Sequence, residues 1–313
     1  MEKREKLAVL IPCFNEEATI ATTLMDYQRV FPQAEIVVCD NASADRTGQI
    51  AKEHGVKVIL EPRKGKGYAV RSLFTHMDAD YFILTDGDHT YRANDAQKLL
   101  LLVMNQEADM AVGDRLSSGG YEKSRTRPLH LVGNKLIGKL ITWFFGRRIQ
   151  DPLSGLRVFN RKFVKTIPLI SRGFEIETEL TLQALDKGFS LREVGIAYAD
   201  RPANNPSKLN TLSDGFKIIL TFFRFAFYFR PVLLTTLVSS LSMFMSFILG
   251  LAPVLEYFQY QYVYKVPSLI VATGFFLMAI FAFFVGLILE SLRYSRMENF
   301  LLLLNDVQSR ERK

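Results

Sequence analysis

The sequence predicts an α/β domain built on a mostly parallel sheet, followed by an interfacial helix and two membrane-crossing helices. Three observations carry that prediction. Short apolar runs alternate with helix-like segments through the first hundred residues, the pattern of a parallel sheet covered by helices. Acidic, basic and glycine residues collect where those apolar runs end. Two charge-free stretches, each long enough to cross a bilayer, lie in the last third of the chain.

The elements follow in order. "KLAVLIP" (6–12) is strand-like, and "NEEATIATTLMDYQRVF" (15–31) has helical spacing with an acidic first turn. "EIVVCD" (35–40) predicts a strand, and "ADRTGQIAKEHG" (44–55) a helix that ends in Gly. "VKVILE" (56–61) and "DYFILTD" (80–86) read as strands, "KGYAVRSLFTHM" (66–77) and "NDAQKLLLLVMNQ" (94–106) as helices. In such sheets, ligands bind beyond the carboxyl ends of the strands. The first end supplies Pro12, Asn15 and Glu16, and the second Asp40, Asn41 and Ser43. The third runs into Arg63, Lys64, Gly65, Lys66 and Gly67, and the fourth into Asp86 and Asp88. A solvated edge is polar too, but four strands in succession ending this way point to a site.

Asp86 and Asp88 stand two positions apart and repel each other unless a positive charge lies between them. Asp-Gly is ordinary turn chemistry, which is the plain alternative. "PRKGKG" (62–67) is not a P-loop, yet its glycines, helix N-terminal amides and lysine suit phosphate oxygens. The two features together predict Mg²⁺ or Mn²⁺ on Asp86 and Asp88, bridging a pyrophosphate. His89 is a further candidate ligand, with an exposed histidine as the simpler reading.

Composition changes along the 313 residues, which are 49% hydrophobic and 23% charged. The runs 232–255 and 266–289 hold no charged residue and span roughly 36 Å each as helices. The connector "EYFQYQYVYK" is rich in Tyr, as at a membrane surface. Basic residues flank the two runs at Lys217, Arg224 and Arg230 on one side and Arg293, Arg296, Arg310, Arg312 and Lys313 on the other. The positive-inside rule then places both the N-terminal domain and the tail in the cytoplasm. The expected organisation is a cytoplasmic domain at 1–213, an interfacial helix at 214–231, two spans at 232–289 and a basic tail at 290–313. The segment 214–231 also fits an amphipathic helix of the soluble domain.

The net charge of +7 suits anionic lipid head groups, and nothing resembles a nucleic-acid module. Cys13 and Cys39 lack metal-ligand spacing and read as small core residues that stay reduced. A homo-oligomer through the two spans is open, without a G-x-x-x-G pattern to support it.

The ordered series "VLIPCFNEEATI", "VVCDNASADRT", "RKGKGYAVR", "TDGDHTY", "DPLSGLRVF", "GFEIETEL" and "RPANNPSKLNTLSDG" resembles the inverting family-2 glycosyltransferases of GT-A fold. Within them it is most similar to the polyisoprenyl-phosphate glycosyltransferases, over about residues 7 to 230. The resemblance implies a nucleotide-sugar donor, a polyprenyl phosphate acceptor and a divalent cation. It implies that Pro12, Asn15 and Glu16 form the nucleoside-binding loop and that Asp40 contacts the base. Lys66 would contact the pyrophosphate, Asp86 and Asp88 would hold the metal, and Arg115 would lie near the donor phosphates. Asp151 matches the acidic residue often taken as a base, counted with Asp88 and Lys208 among the catalytic residues. Glu175 and Glu177 would face the sugar or support its loop. Arg201, Ser207 and Lys208 would grip the acceptor phosphate. Charge alone adds Arg125 and Arg127 as groups that would position it, with a solvated loop as the plain alternative. The Q-x-x-R-W motif of processive polysaccharide synthases is absent, which argues against a polymerase.

The expected donor is UDP-glucose or UDP-N-acetylglucosamine, with GDP-mannose as the alternative. Rival readings are a family-2 enzyme with another lipid or protein acceptor, and a non-catalytic membrane-anchored nucleotide-sugar sensor.

Overall fold

The computed structural model describes residues 5–117, 128–199, 219–220, 222–225 and 227–311. The chain divides into two compact units, 1–223 with 303–313, and 224–302.

The first unit is a layered α/β domain. Its strands are β1 (Leu7–Cys13), β2 (Glu35–Asp40), β3 (Lys57–Leu60), β4 (Tyr81–Leu84), β5 (Met110–Asp114), β6 (Arg157–Asn160) and β7 (Leu191–Gly195). Between them lie helices α1 (Ile20–Val30), α2 (Thr47–Glu53), α3 (Lys66–His76), α4 (Ala93–Met104), α5 (Pro128–Phe145), α6 (Arg161–Thr166) and α7 (Ile176–Asp186). All seven strands form one sheet in the order β3-β2-β1-β4-β6-β5-β7. The four strands read from the sequence pair in parallel, while β6 runs antiparallel to both β4 and β5. β7 is parallel to β5.

Burial explains why β1, β2 and β4 are nearly continuous apolar runs. Their sheet is covered on both faces, so successive side chains must both be apolar. Val9, Ile11 and Cys13 join a core with Leu24 and Tyr27 of α1, Ala51 of α2 and Leu99 of α4. The opposite face is covered by α3, which packs on β1 and β2. There Phe74 meets Phe159 edge-on at 5.5 Å, and Phe159 stacks on Phe163 at 5.0 Å. Tyr27 is fully buried, and its hydroxyl donates to Thr85 Oγ1 at 2.9 Å, which removes the cost of an unpaired polar group.

The expected acidic first turn of α1 is a correction. The helix begins at Ile20, and Glu16 and Glu17 precede it. They stitch the first loop to the second instead. The Glu16 backbone N–H donates to Thr47 Oγ1 at 2.8 Å, and Glu17 Oε2 accepts from the Arg46 backbone N–H at 3.1 Å. Two adjacent loops thus satisfy each other's backbone groups, which a helical turn here would forgo.

The second unit contains α8 (Pro231–Tyr260) and most of α9 (Val266–Glu311). Both helices are long and apolar enough to cross a membrane, with mean hydropathies of 2.0 and 2.5 over their most apolar windows. Their apolar side chains are largely exposed, among them Leu241, Phe247, Phe281 and Ile288. Serines join the two helices: Ser239 Oγ donates to the Ala279 carbonyl, Ser246 Oγ to the Ala272 carbonyl and Ser268 Oγ to the Leu249 carbonyl, each at 2.8 Å. The stretch expected as a tail from 290 continues α9 without a break, so the basic residues Arg293 and Arg296 are helical. Of the segment expected as an interfacial helix, residues 222–225 and 227–229 are helical, with Phe223 and Phe227 exposed.

Candidate active site

The strand order reverses between β1 and β4, because β2 and β3 lie to one side of β1 and β4 to the other. Chains leaving neighbouring strands diverge at such a switch point and open a crevice. A pocket of about 290 Å³ lies there, lined by Pro12, Glu16, Asn41, Gly65, Lys66, Asp86, Asp88 and Phe174 among others. Of the residues expected at the site, Pro12, Glu16, Lys66, Asp86 and Asp88 therefore share one cavity.

The first two loops are held by side chains. Asn15 takes a left-handed conformation at φ 54°, and its Oδ1 accepts from the Ala44 backbone N–H at 2.8 Å. Asp40 Oδ1 accepts from the Ser43 backbone N–H at 3.0 Å. Asn41, which the site reading gave no role, ties the third loop. Its Nδ2 donates to the Arg63 carbonyl at 2.6 Å and its Oδ1 accepts from the Gly65 backbone N–H at 2.7 Å.

Gly65 and Gly67 are required sterically. Gly65 has φ +139°, and a Cβ there would lie 2.1 Å from the Arg172 carbonyl oxygen. A Cβ at Gly67 would lie 2.2 Å from the Ser171 carbonyl oxygen. The lysine-glycine loop is thus pressed against the loop before α7. That second loop is pinned by buried Glu179, which accepts from the backbone N–H groups of Ile170 and Ser171 at 2.8 and 2.7 Å. Gly65→Ala is expected to cost about 1–3 kcal/mol, through strained backbone and displaced carbonyl. Thermal unfolding of the purified protein measures it.

Lys66 lies at the N-terminus of α3 and is almost fully buried. Its Nζ sits 2.5 Å from Asp86 Oδ1 and 2.6 Å from Glu177 Oε1. Burial alone disfavours the ammonium, but the charges of Asp86 and Glu177 outweigh it and raise Lys66 above its ordinary value. For Glu177 burial dominates and raises the carboxyl. Glu175 serves its own loop, accepting from the backbone N–H groups of Arg172 and Gly173. Asp88 is buried, and its Oδ1 accepts from the Thr90 backbone N–H at 3.2 Å and hydroxyl at 2.7 Å. His89 is half-buried at φ 56°, and its Nδ1 has no hydrogen-bond partner among the described residues.

Arg115 and Asp151 form a closed pair. Arg115 Nε and Nη2 donate to the two Asp151 oxygens at 2.7 and 2.8 Å, its backbone N–H donates at 3.0 Å, and Asn134 Nδ2 adds a bond at 2.7 Å. Neither residue lines the pocket at the switch point. Burial would raise the Asp151 carboxyl, but the Arg115 guanidinium overcomes it and holds the group below the usual carboxylate range.

Arg157 was missed by sequence reasoning. It is completely buried on β6 and donates to the carbonyls of Ser154 and Pro152 and to Thr181 Oγ1. Burial pushes its guanidinium down to about 10, so it stays charged at neutral pH. Its grip shapes the "DPLSG" loop. The antiparallel register Leu84↔Arg157 brings that loop back over the end of β4, where a Cβ at Gly155 would lie 2.5 Å from Asp86 Oδ2. Arg125, Arg127, Arg201, Ser207 and Lys208 lie outside the described residues.

Asp86 and Asp88 offer oxygen donors on one pocket wall, and the Lys66 ammonium already stands against Asp86 as a cation. Among the described residues no third carboxylate, histidine or cysteine gathers with them into a closed cage. The two carboxylates suit Mg²⁺ or Mn²⁺, which bind through one or two carboxylates and keep positions for phosphate oxygens and water.

A pocket at the switch point of a mostly parallel sheet, lined by a helix-start lysine and two carboxylates, is of the kind in which phosphate-bearing ligands bind. Residues 8–167 match the family described as Glycosyl transferase family 2, and the chain belongs to that family. It is a nucleotide-sugar glycosyltransferase of GT-A fold. Glycosyltransferase AglJ of Haloferax volcanii is 34% identical over 239 residues, covering 74% of this chain and 78% of the relative. The dolichyl-phosphate hexose transferase of the same organism is 30% identical over 211 residues, covering 67% of this chain and 90% of the relative. Among solved structures, glucosyl-3-phosphoglycerate synthase from Mycobacterium tuberculosis, in complex with Mn²⁺, UDP-glucose and phosphoglyceric acid, shares the fold. Its TM-score is 0.58 at 19% identity, covering 71% of this chain and 80% of its own.

Proposed function

We propose that this protein transfers one sugar from a nucleotide sugar, UDP-glucose or UDP-N-acetylglucosamine, to a polyprenyl phosphate at the cytoplasmic membrane face. A phosphate oxygen of the acceptor attacks the anomeric carbon, the nucleoside diphosphate leaves, and the configuration inverts. The observation that carries the reading is the pocket wall where Asp86 and Asp88 stand beside Lys66. Asp86 and Asp88 would hold Mg²⁺ or Mn²⁺, which when bound supplies positive charge for the departing diphosphate. The N-terminus of α3, which begins at Lys66, would turn its positive dipole end toward phosphate oxygens.

The acceptor reading draws on three supports. Two helices are long and apolar enough to anchor the domain where a lipid phosphate lies. A relative of this chain carries the name dolichyl-phosphate hexose transferase. An acceptor phosphate is already ionised at neutral pH, so no strong base is needed. That agrees with Asp151, whose oxygens are engaged by Arg115 and Asn134 and whose role here is to hold Arg115. Arg127, Arg201, Ser207 and Lys208 remain the candidates for gripping the acceptor.

Detergent-solubilised protein, a polyprenyl phosphate, Mn²⁺ and a panel of UDP- and GDP-sugars test the reading. The expected result is lipid-linked product from one UDP-sugar, lost on adding chelator. Product only from GDP-mannose would correct the donor. Nucleotide binding without lipid product from any donor would overturn the acceptor.

A further inference from the structure

Lys66 bridges a pocket carboxylate, Asp86, and a second, buried carboxylate, Glu177. It contacts Asp86, which is a metal-holding residue in the reading above, and so stands where an incoming cation must act. A divalent ion approaching Asp86 Oδ1 is repelled by an ammonium that already stands 2.5 Å from the same oxygen. One of the two partners has to move. Asp86 Oδ2 lies against Gly155, so close that a Cβ there would fall 2.5 Å from it, and Asp86 has no room to withdraw on that side. Lys66 has a flexible stem and a second partner already in place. That partner, Glu177, uses Oε1 for Lys66, while its buried Oε2 has no hydrogen-bond partner. It has the capacity to take the ammonium fully.

We propose that Lys66 is a placeholder cation: it neutralises Asp86 until a divalent ion binds, and on metal entry it is released from Asp86 to Glu177 and the donor pyrophosphate. Glu177 is then a positioning residue that keeps the displaced ammonium at the pocket. The arrangement has a binding consequence. Metal alone must displace Lys66 from Asp86 and binds weakly. A pyrophosphate offers Lys66 new oxygens, so nucleotide and metal each strengthen the other's binding, as linkage requires.

The inference rests on the proposed metal site, and a binding measurement separates the two. Mn²⁺ affinity of the full-length protein in detergent is measured by calorimetry, with and without UDP. Lys66→Met is expected to tighten Mn²⁺ binding in the absence of nucleotide by about tenfold and to remove most of the UDP-dependent gain. Glu177→Gln nearly preserves shape and is expected to weaken Mn²⁺ binding, because the released ammonium loses its charged acceptor. Opposite signs from the two variants support the placeholder. Unchanged or weaker Mn²⁺ binding by a folded Lys66→Met overturns it. Should Lys66→Met fail to fold, tighter or unchanged binding by Glu177→Gln overturns it instead. Wild-type protein whose Mn²⁺ binding is absent, or is unaffected by Asp88→Ala, sinks the metal site and the placeholder together.

Discussion

Asp88→Ala is expected to lower sugar transfer by about a thousandfold while leaving the protein folded. Charge stabilisation by a bound divalent ion is worth several kcal/mol, and each 1.4 kcal/mol is tenfold in rate. The structural cost is smaller. Asp88 Oδ1 accepts from the Thr90 amide and hydroxyl, and losing such bonds costs about 1–3 kcal/mol. Transfer assays and thermal unfolding on the same preparation separate the two effects. Full activity in a folded Asp88→Ala protein would remove the metal site from the mechanism. An unfolded variant would instead assign Asp88 to the loop.

Asp151→Ala should act the other way, chiefly on stability. Removing one member of a buried ion pair leaves the other charge uncompensated, at about 3–5 kcal/mol. Arg115 would lose the carboxylate that accepts from its Nε and Nη2, and Asn134 Nδ2 would lose its acceptor. The double variant Arg115→Met with Asp151→Leu is expected to recover at least half of the loss, because no buried charge is left behind. The sign with pH follows from the lowered Asp151 carboxyl. A carboxyl held below its unfolded value contributes stability that is present above about pH 4 and is lost as pH falls through the folded value. Asp151→Asn should therefore flatten the acid limb of stability against pH. An Asp151 variant with wild-type stability and an acid limb missing only from its rate profile would return Asp151 to the role of a base.

Much of the catalytic domain was legible because its physics is local. β2 occupies the predicted residues, β3 and β4 fall within theirs and β1 is shifted by one residue, since strands buried on both faces need uninterrupted apolar runs. The residues at their carboxyl ends were legible for the same reason: once β1 and β4 are recognised as parallel, the place of Pro12, Glu16, Asp86 and Asp88 follows. β5, β6 and β7 were not read. They are four or five residues long, and β6 begins with an arginine, a residue that ordinarily signals exposure. The boundary between span and tail at 290 was drawn at the first charge after an apolar run. Helix geometry does not depend on that change, and α9 continues through it.

By itself, the sequence determined the alternating α/β domain, the carboxylate pair and the lysine-glycine loop at its strand ends, and the two apolar segments. Each of these is a pattern of neighbours along the chain. Only the tertiary structure decided that Lys66 meets Glu177, 111 positions away, that Arg115 closes on Asp151, and that Arg157 is buried among carbonyls. The cause is the sheet order. β6 inserts antiparallel between β4 and β5, which returns the 151–155 loop to Asp86. Charges buried this way are tolerable only with partners, and those partners come from elements far apart in sequence that no local periodicity connects.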